Sequence, residues 1–186
     1  MSSARAFDPR KLDVVAFAAE HGALAGELPV SELSRLSKGA LPQIEADATV
    51  RWAAQGVRGE LAGGGIEARL QLQAATSLQL VCQRCLQPVT VALDVKPRLR
   101  FVADEALAEE LDADSEDDVL ALGAPLDLHA LIEDELILAL PLVPRHERCP
   151  QPLPWSPSAP AAGDQEPVDN PFAALAALRR NGGTPG

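Results

Sequence analysis

The sequence predicts an α+β protein: an antiparallel β-meander or partly open barrel with a few packed helices, then a proline-rich tail with a short C-terminal helix. Three observations predict it. Residues 66–82 and 89–101 alternate apolar and polar side chains with a period of two. A helical apolar stripe follows Asp127. Seven prolines then fall between residues 150 and 171. A period of two places one face of a strand in a core, whereas apolar residues three and four apart share one face of a helix.

The elements follow in chain order. Residues 8–19 predict a helix from Asp8 to about Ala19, then an extended GALAGELP, then a short helix opened by Ser31 over Glu32 to Leu36. Ala48, Val50 and Trp52 alternate with Asp47, Thr49 and Arg51, which predicts a strand, and Gly63, Gly64 and Gly65 supply a turn. From Ile66 to Cys82 every even residue is apolar or small, while Glu67, Arg69, Gln71, Gln73 and Gln79 are expected to face water. The pattern resumes on odd positions from Val89 to Phe101, giving two long antiparallel strands joined by CQRCLQP. Pro97 cannot donate to a ladder and predicts an edge or a bulge. Leu128, Leu131, Ile132, Leu136 and Ala139 make the helical stripe, with Glu133, Asp134 and Glu135 expected on the solvent side and Pro141 ending the helix. Residues 1–149 are thus expected to form one domain, 150–170 a linker, and 171–186 an amphipathic helix and tail. In that helix Asn170 is the cap, Pro171 suits the first turn, and Phe172, Leu175 and Leu178 share a face.

Charge narrows the function. The chain of 186 residues carries 16 Lys+Arg against 27 Asp+Glu, a formal charge of -11. The stretch 104–118 holds nine of those acids and no base, and without it 18 acids face 16 bases. The block reads first as a disordered acidic loop, and second as a strip that holds a basic partner or excludes nucleic acid. With aromatics at 3% and no tyrosine, neither phosphate neutralisation nor base stacking has broad support. Lys96, Arg98 and Arg100 share one strand face and are the candidate for direct RNA contact. The first twenty residues lack the apolar core of a signal peptide, and the longest apolar run, Leu136 to Val143, falls short of a membrane span. A cytoplasmic protein with reduced thiols and no membrane contact is expected.

Three cysteines cannot all pair within the chain. Cys82 and Cys85 form a C-x-x-C at a hairpin tip, and His146 and Cys149 form an H-x-x-C sixty residues on. Three thiolates and an imidazole suit tetrahedral Zn2+, and soft ligands disfavour calcium or magnesium. A structural zinc site is the first reading. Incidental cysteines are the second, and a thiol–disulfide centre the third, because redox C-x-x-C pairs normally open a helix that lowers the thiol pKa. His21 and His129 read as structural. No phosphate loop or catalytic constellation is visible, so no enzyme is expected.

CQRCLQPVTVAL, LDLHALIEDELILALPLVPRHERC and NPFAALAALRR occur in that order, and together they resemble the YceD family of large ribosomal RNA subunit accumulation proteins. The matching positions are Cys82, Cys85, Leu86, Glu133, Glu135, Pro141, Pro144, His146, Cys149, Asn170, Pro171 and Phe172. The interval 150–169 is unusually proline-rich for such a protein. The resemblance implies a non-enzymatic role in synthesis, processing or stability of 23S ribosomal RNA. An acidic chain is expected to serve that role through a ribosome-assembly protein or a basic ribosomal protein, touching the RNA indirectly. A thiol–disulfide protein and an acidic adaptor are the alternatives.

Overall fold

A computed structural model describes residues 6–39, 48–60 and 66–150. The described residues fall within one compact unit of the chain. The turn expected at Gly63 to Gly65, and the linker and terminal helix with Phe172, Leu175 and Leu178, lie outside the described residues.

Six strands form one open, mostly antiparallel sheet in the order β1-β2-β3-β5-β6, with β4 also on β3. They are β1 (Ala23–Pro29), β2 (Thr49–Glu60), β3 (Ile66–Val81), β4 (Pro88–Val95), β5 (Arg98–Val102) and β6 (Asp118–Ala121). The period-two pattern of β3 does what it predicts. Leu70, Leu72, Ala74, Leu78 and Leu80 are buried, and with Trp52, Leu93 and Leu99 they make the inner face. Two helices pack on that face: α1 (Val14–Ala19) through Val14, Phe17 and Ala18, and α4 (Leu128–Leu138) through Leu128, Ile132 and Leu136. A short α2 (Ser34–Ser37) adds Leu36.

Several expectations need correction. α1 begins at Val14, because Asp13 rather than Asp8 caps it, accepting from the Ala16 amide. The short helix after β1 is a 3-10 turn over Val30–Glu32 followed by α2, which has no side-chain cap from Leu33. The strand expected from Val89 to Phe101 is two strands, interrupted at Lys96 and Pro97. No bulge forms there, since the register Ala74↔Val95 continues as Gln71↔Arg98 with no residue inserted. Proline only removes a donor, and its carbonyl still accepts from the Leu72 amide at 3.1 Å.

The acidic block is not an unstructured loop. Asp104 accepts from the Leu107 amide and caps α3 (Glu105–Asp112). α3 crosses from β5 to the parallel strand β6 and buries Ala108 against Val102 and Val119 on the outer face of the sheet. Leu107, Ala108 and Leu111 hold three- and four-residue spacing inside the run of acids, which is the helical signal that its charge conceals.

Two acids expected in water are buried. Glu67 is 1% exposed. Arg69 and Arg100 sit directly opposite each other across β3 and β5, an unfavourable like-charge pair. Glu67 pairs with both, at 2.6 Å from Arg69 Nε and 2.6 Å from an Arg100 terminal nitrogen. Glu133, on α4, accepts from the Arg35 and Leu36 amides at 2.6 and 3.1 Å and pairs with the Arg35 guanidinium at 2.9 Å. It therefore supplies the N-terminal cap that α2 lacks.

Candidate metal centre

The inner face of β3 runs on past its last residue into Cys82, which is fully buried. The chain then reverses into β4. The Cys82 amide donates to the Gln87 carbonyl and the Leu86 amide to the Cys82 carbonyl, each at 2.9 Å. Leu86 takes a φ of 60°, the left-handed conformation that lets the turn close so tightly. The turn brings the Cys85 thiol round beside that of Cys82.

The second ligand pair arrives from the other end of the domain. Beyond α4 the chain passes Pro141 and lies across the hairpin tip, where the Gln83 amide donates to the Pro144 carbonyl at 2.8 Å. Arg84 fastens it further. One terminal nitrogen donates to the His146 and Glu147 carbonyls at 3.1 and 3.3 Å, and Nε donates to Cys149 Sγ at 3.0 Å.

All four predicted ligands meet. The ligand atoms of Cys82, Cys85, His146 and Cys149 lie within 4.8 Å of one another, so the group can hold a metal ion. Cys82 Sγ is 4.0 Å from Cys149 Sγ, and Cys85 Sγ is 3.4 Å from His146 Nδ1. His146 Nε2 lies 3.0 Å from the Pro88 carbonyl, which can only accept. That contact places the ring proton on Nε2 and leaves the Nδ1 lone pair facing the thiols.

The electrostatics favour thiolate. Burial raises the Cys82 pKa, but the Cys85, His146 and Arg84 amides donate to its sulfur and together hold it at about 5. Burial pushes the Cys85 thiol up, and the neighbouring Cys149 and Cys82 sulfurs add to that. Three sulfurs in one spot cannot all ionise without a cation among them. Arg84 supplies one positive charge from outside.

The other predicted site residues lie elsewhere, and each basic one has an acid beside it. Lys96 is 3.0 Å from Asp94, Arg98 is 2.8 Å from Asp117, and Arg100 is held by Glu67. Sequence reasoning missed Arg84. Its signal is a base inside the C-x-x-C, where a long donor reaches any chain that crosses the turn.

The fold and the site define a small α+β protein with a Cys3His cluster that joins two distant parts of its chain. Residues 70–179 match the family described as Large ribosomal RNA subunit accumulation protein YceD. The chain belongs to that family. It is similar to the Large ribosomal RNA subunit accumulation protein YceD of Haemophilus influenzae, 34% identical over 105 residues, which is 55% of this chain and 60% of that protein. The match therefore spans less than two thirds of that relative. No solved structure matches. Among the described residues, no helix is long and apolar enough to cross a membrane.

Proposed function

We propose that the protein is a non-enzymatic factor for accumulation of the large (23S) ribosomal RNA, working in the cytoplasm through a basic protein partner on a scaffold closed by structural Zn2+. The observation that carries the reading is the family match, which includes all four cluster residues. The donor set fits the ion. Zinc–ligand bonds of about 2.3 Å to sulfur and about 2.0 Å to nitrogen give tetrahedral edges of roughly 3.8 and 3.5 Å. The 4.0 Å and 3.4 Å separations lie close to these. Bound there, zinc would supply charge neutralisation and a cross-link between Cys82–Cys85 and His146–Cys149. An indirect route to RNA is favoured because Lys96, Arg98 and Arg100 each pair with an acid of the same chain.

The purified chain is expected to carry about one zinc, with thiols that react only after a chelator is added. Depleting the protein should lower large ribosomal RNA relative to small, and the wild-type chain but not Cys149→Ser should restore it. Normal large-subunit RNA after depletion would remove the reading. Arg84→Ala is expected to weaken zinc binding about tenfold in a chelator competition, with Arg84→Lys intermediate because it keeps the charge and loses the fork. Equal affinity in all three would show that Arg84 does not position the ligands.

A second reading, a thiol–disulfide protein, is favoured by the lowered Cys82 pKa and by its distance to Cys149. It requires thiols that react without chelator and a reversible Cys82–Cys149 disulfide.

A further inference from the structure

Among the described residues β6 ends the sheet, with β5 on one side and no strand on the other. In a parallel pair, alternate residues turn their backbone groups towards the neighbour. The Leu122 amide donates to the Val102 carbonyl, so Leu120 and Leu122 serve β5, while Val119 and Ala121 turn outward. The Val119 amide is taken by Asp112 Oδ1 at 3.2 Å. On that open side Ala121 has no backbone partner among the described residues. An exposed edge of this kind is a template for another strand.

The edge is also apolar. Leu120 and Leu122 are 37% and 39% exposed. They border a groove of about 290 Å³ that Val14, Phe101 and Leu126 also line, with Glu105 at its margin. Glu109 lies one helical turn from Glu105 on the same face of α3. Four other acids of this region have work within the molecule: Asp104 caps α3, Asp112 holds Val119, and Glu116 and Asp117 pair with Arg98. Glu105, Glu109 and Asp118 have no ion partner among the described residues. Burial, with Asp118 and Asp134 adding to it, raises the Glu135 carboxyl.

We propose that β6 receives a strand from a cationic protein: an extended segment alternating apolar residues with Lys or Arg, its backbone pairing with Ala121, its apolar side chains entering the groove and its bases meeting Glu105 and Glu109. Main-chain bonds would give affinity and the alternation specificity. RNA is the wrong occupant, because its phosphates would face these carboxylates. The inference deepens the reading above, on which it rests, by giving the basic partner a surface.

The test uses the full chain and a labelled peptide alternating Lys and Val, followed by fluorescence anisotropy in low salt. Binding is expected, falling as salt rises, and it should be absent for a Glu–Val peptide and for a single-stranded RNA oligonucleotide. Glu105→Gln with Glu109→Gln should weaken it about tenfold at unchanged circular dichroism. Ala121→Pro removes only the outward amide and should abolish it. Undiminished binding by the double variant, no binding by the wild type, or RNA binding lost in the double variant would each overturn the proposal. Failure here with normal rescue of large ribosomal RNA would sink the edge and leave the functional reading intact.

Discussion

Glu133→Gln is expected to cost about 3 kcal/mol at neutral pH, the upper end for hydrogen bonds to a charged acceptor whose donors are left poorly satisfied. The carboxylate is 7% exposed and holds two amides of α2 together with the Arg35 guanidinium. An amide of the same shape keeps one acceptor and loses the charge. Burial raises the Glu133 pKa, but the Leu36 and Arg35 amides and the Arg35 side chain outweigh it and leave it below the ordinary 4.5. A depressed native value means that the stabilisation is fully present above 4.5 and is lost as pH falls through the native value. Glu67 is depressed too, since Arg100 and Arg69 overcome its burial, and so it acts in the same window. Urea unfolding at a series of pH values checks this. Wild type should lose stability steeply below the ordinary carboxylate range, and the gap to Glu133→Gln should narrow. A gap that stays constant with pH would show that the charge is not what matters.

Gly56→Ala should be as damaging, by about 3 kcal/mol, at the upper end for overpacking. Gly56 lies in β2 beneath the end of α1, and its amide donates to the Gly22 carbonyl at 2.8 Å. A Cβ there would fall on the Phe17 carbonyl and 2.9 Å from the Ala18 Cα. Both obstacles are backbone, so no side-chain rotation gives relief, and α1 must lift off the sheet. Gly123, where an added Cβ meets nothing within 4 Å, is the control. Gly123→Ala should cost less than about 0.5 kcal/mol. Similar urea midpoints for the two variants would refute the close approach.

The sequence shows much of this architecture and hides an identifiable remainder. β3 was legible because its inner face is apolar at every position but Thr76 over sixteen residues. α4 was legible because Asp127 caps it, accepting from the His129 and Ala130 amides ahead of a regular stripe. The four cluster residues were legible as two pairs, although nothing local says that sixty residues of chain bring them together. Glu67 and Glu133 were not legible, because each follows the local pattern of a solvent residue. Only partners elsewhere in the chain make their burial tolerable: Arg100 beside Glu67, and α2 beneath Glu133. α3 was hidden by composition, since its acids equal its apolar residues in number and solvation dominates any reading by charge. The parallel pairing of β6 with β5 was equally hidden, because a four-residue strand carries too little pattern to fix its direction.

The arrangement of β3 bears on how the molecule assembles. Its neighbours β2, β4 and β5 lie close by in the chain, so the centre of the sheet can zip up from local hairpins. The long-distance ties, Leu12 with Leu126, Arg35 with Glu133 and Cys82 with Cys149, join segments remote in sequence around that prebuilt platform. Loop-closure entropy puts such ties late on the folding route. Closure of the Cys3His cluster would then be a checkpoint passed only by chains whose earlier steps succeeded.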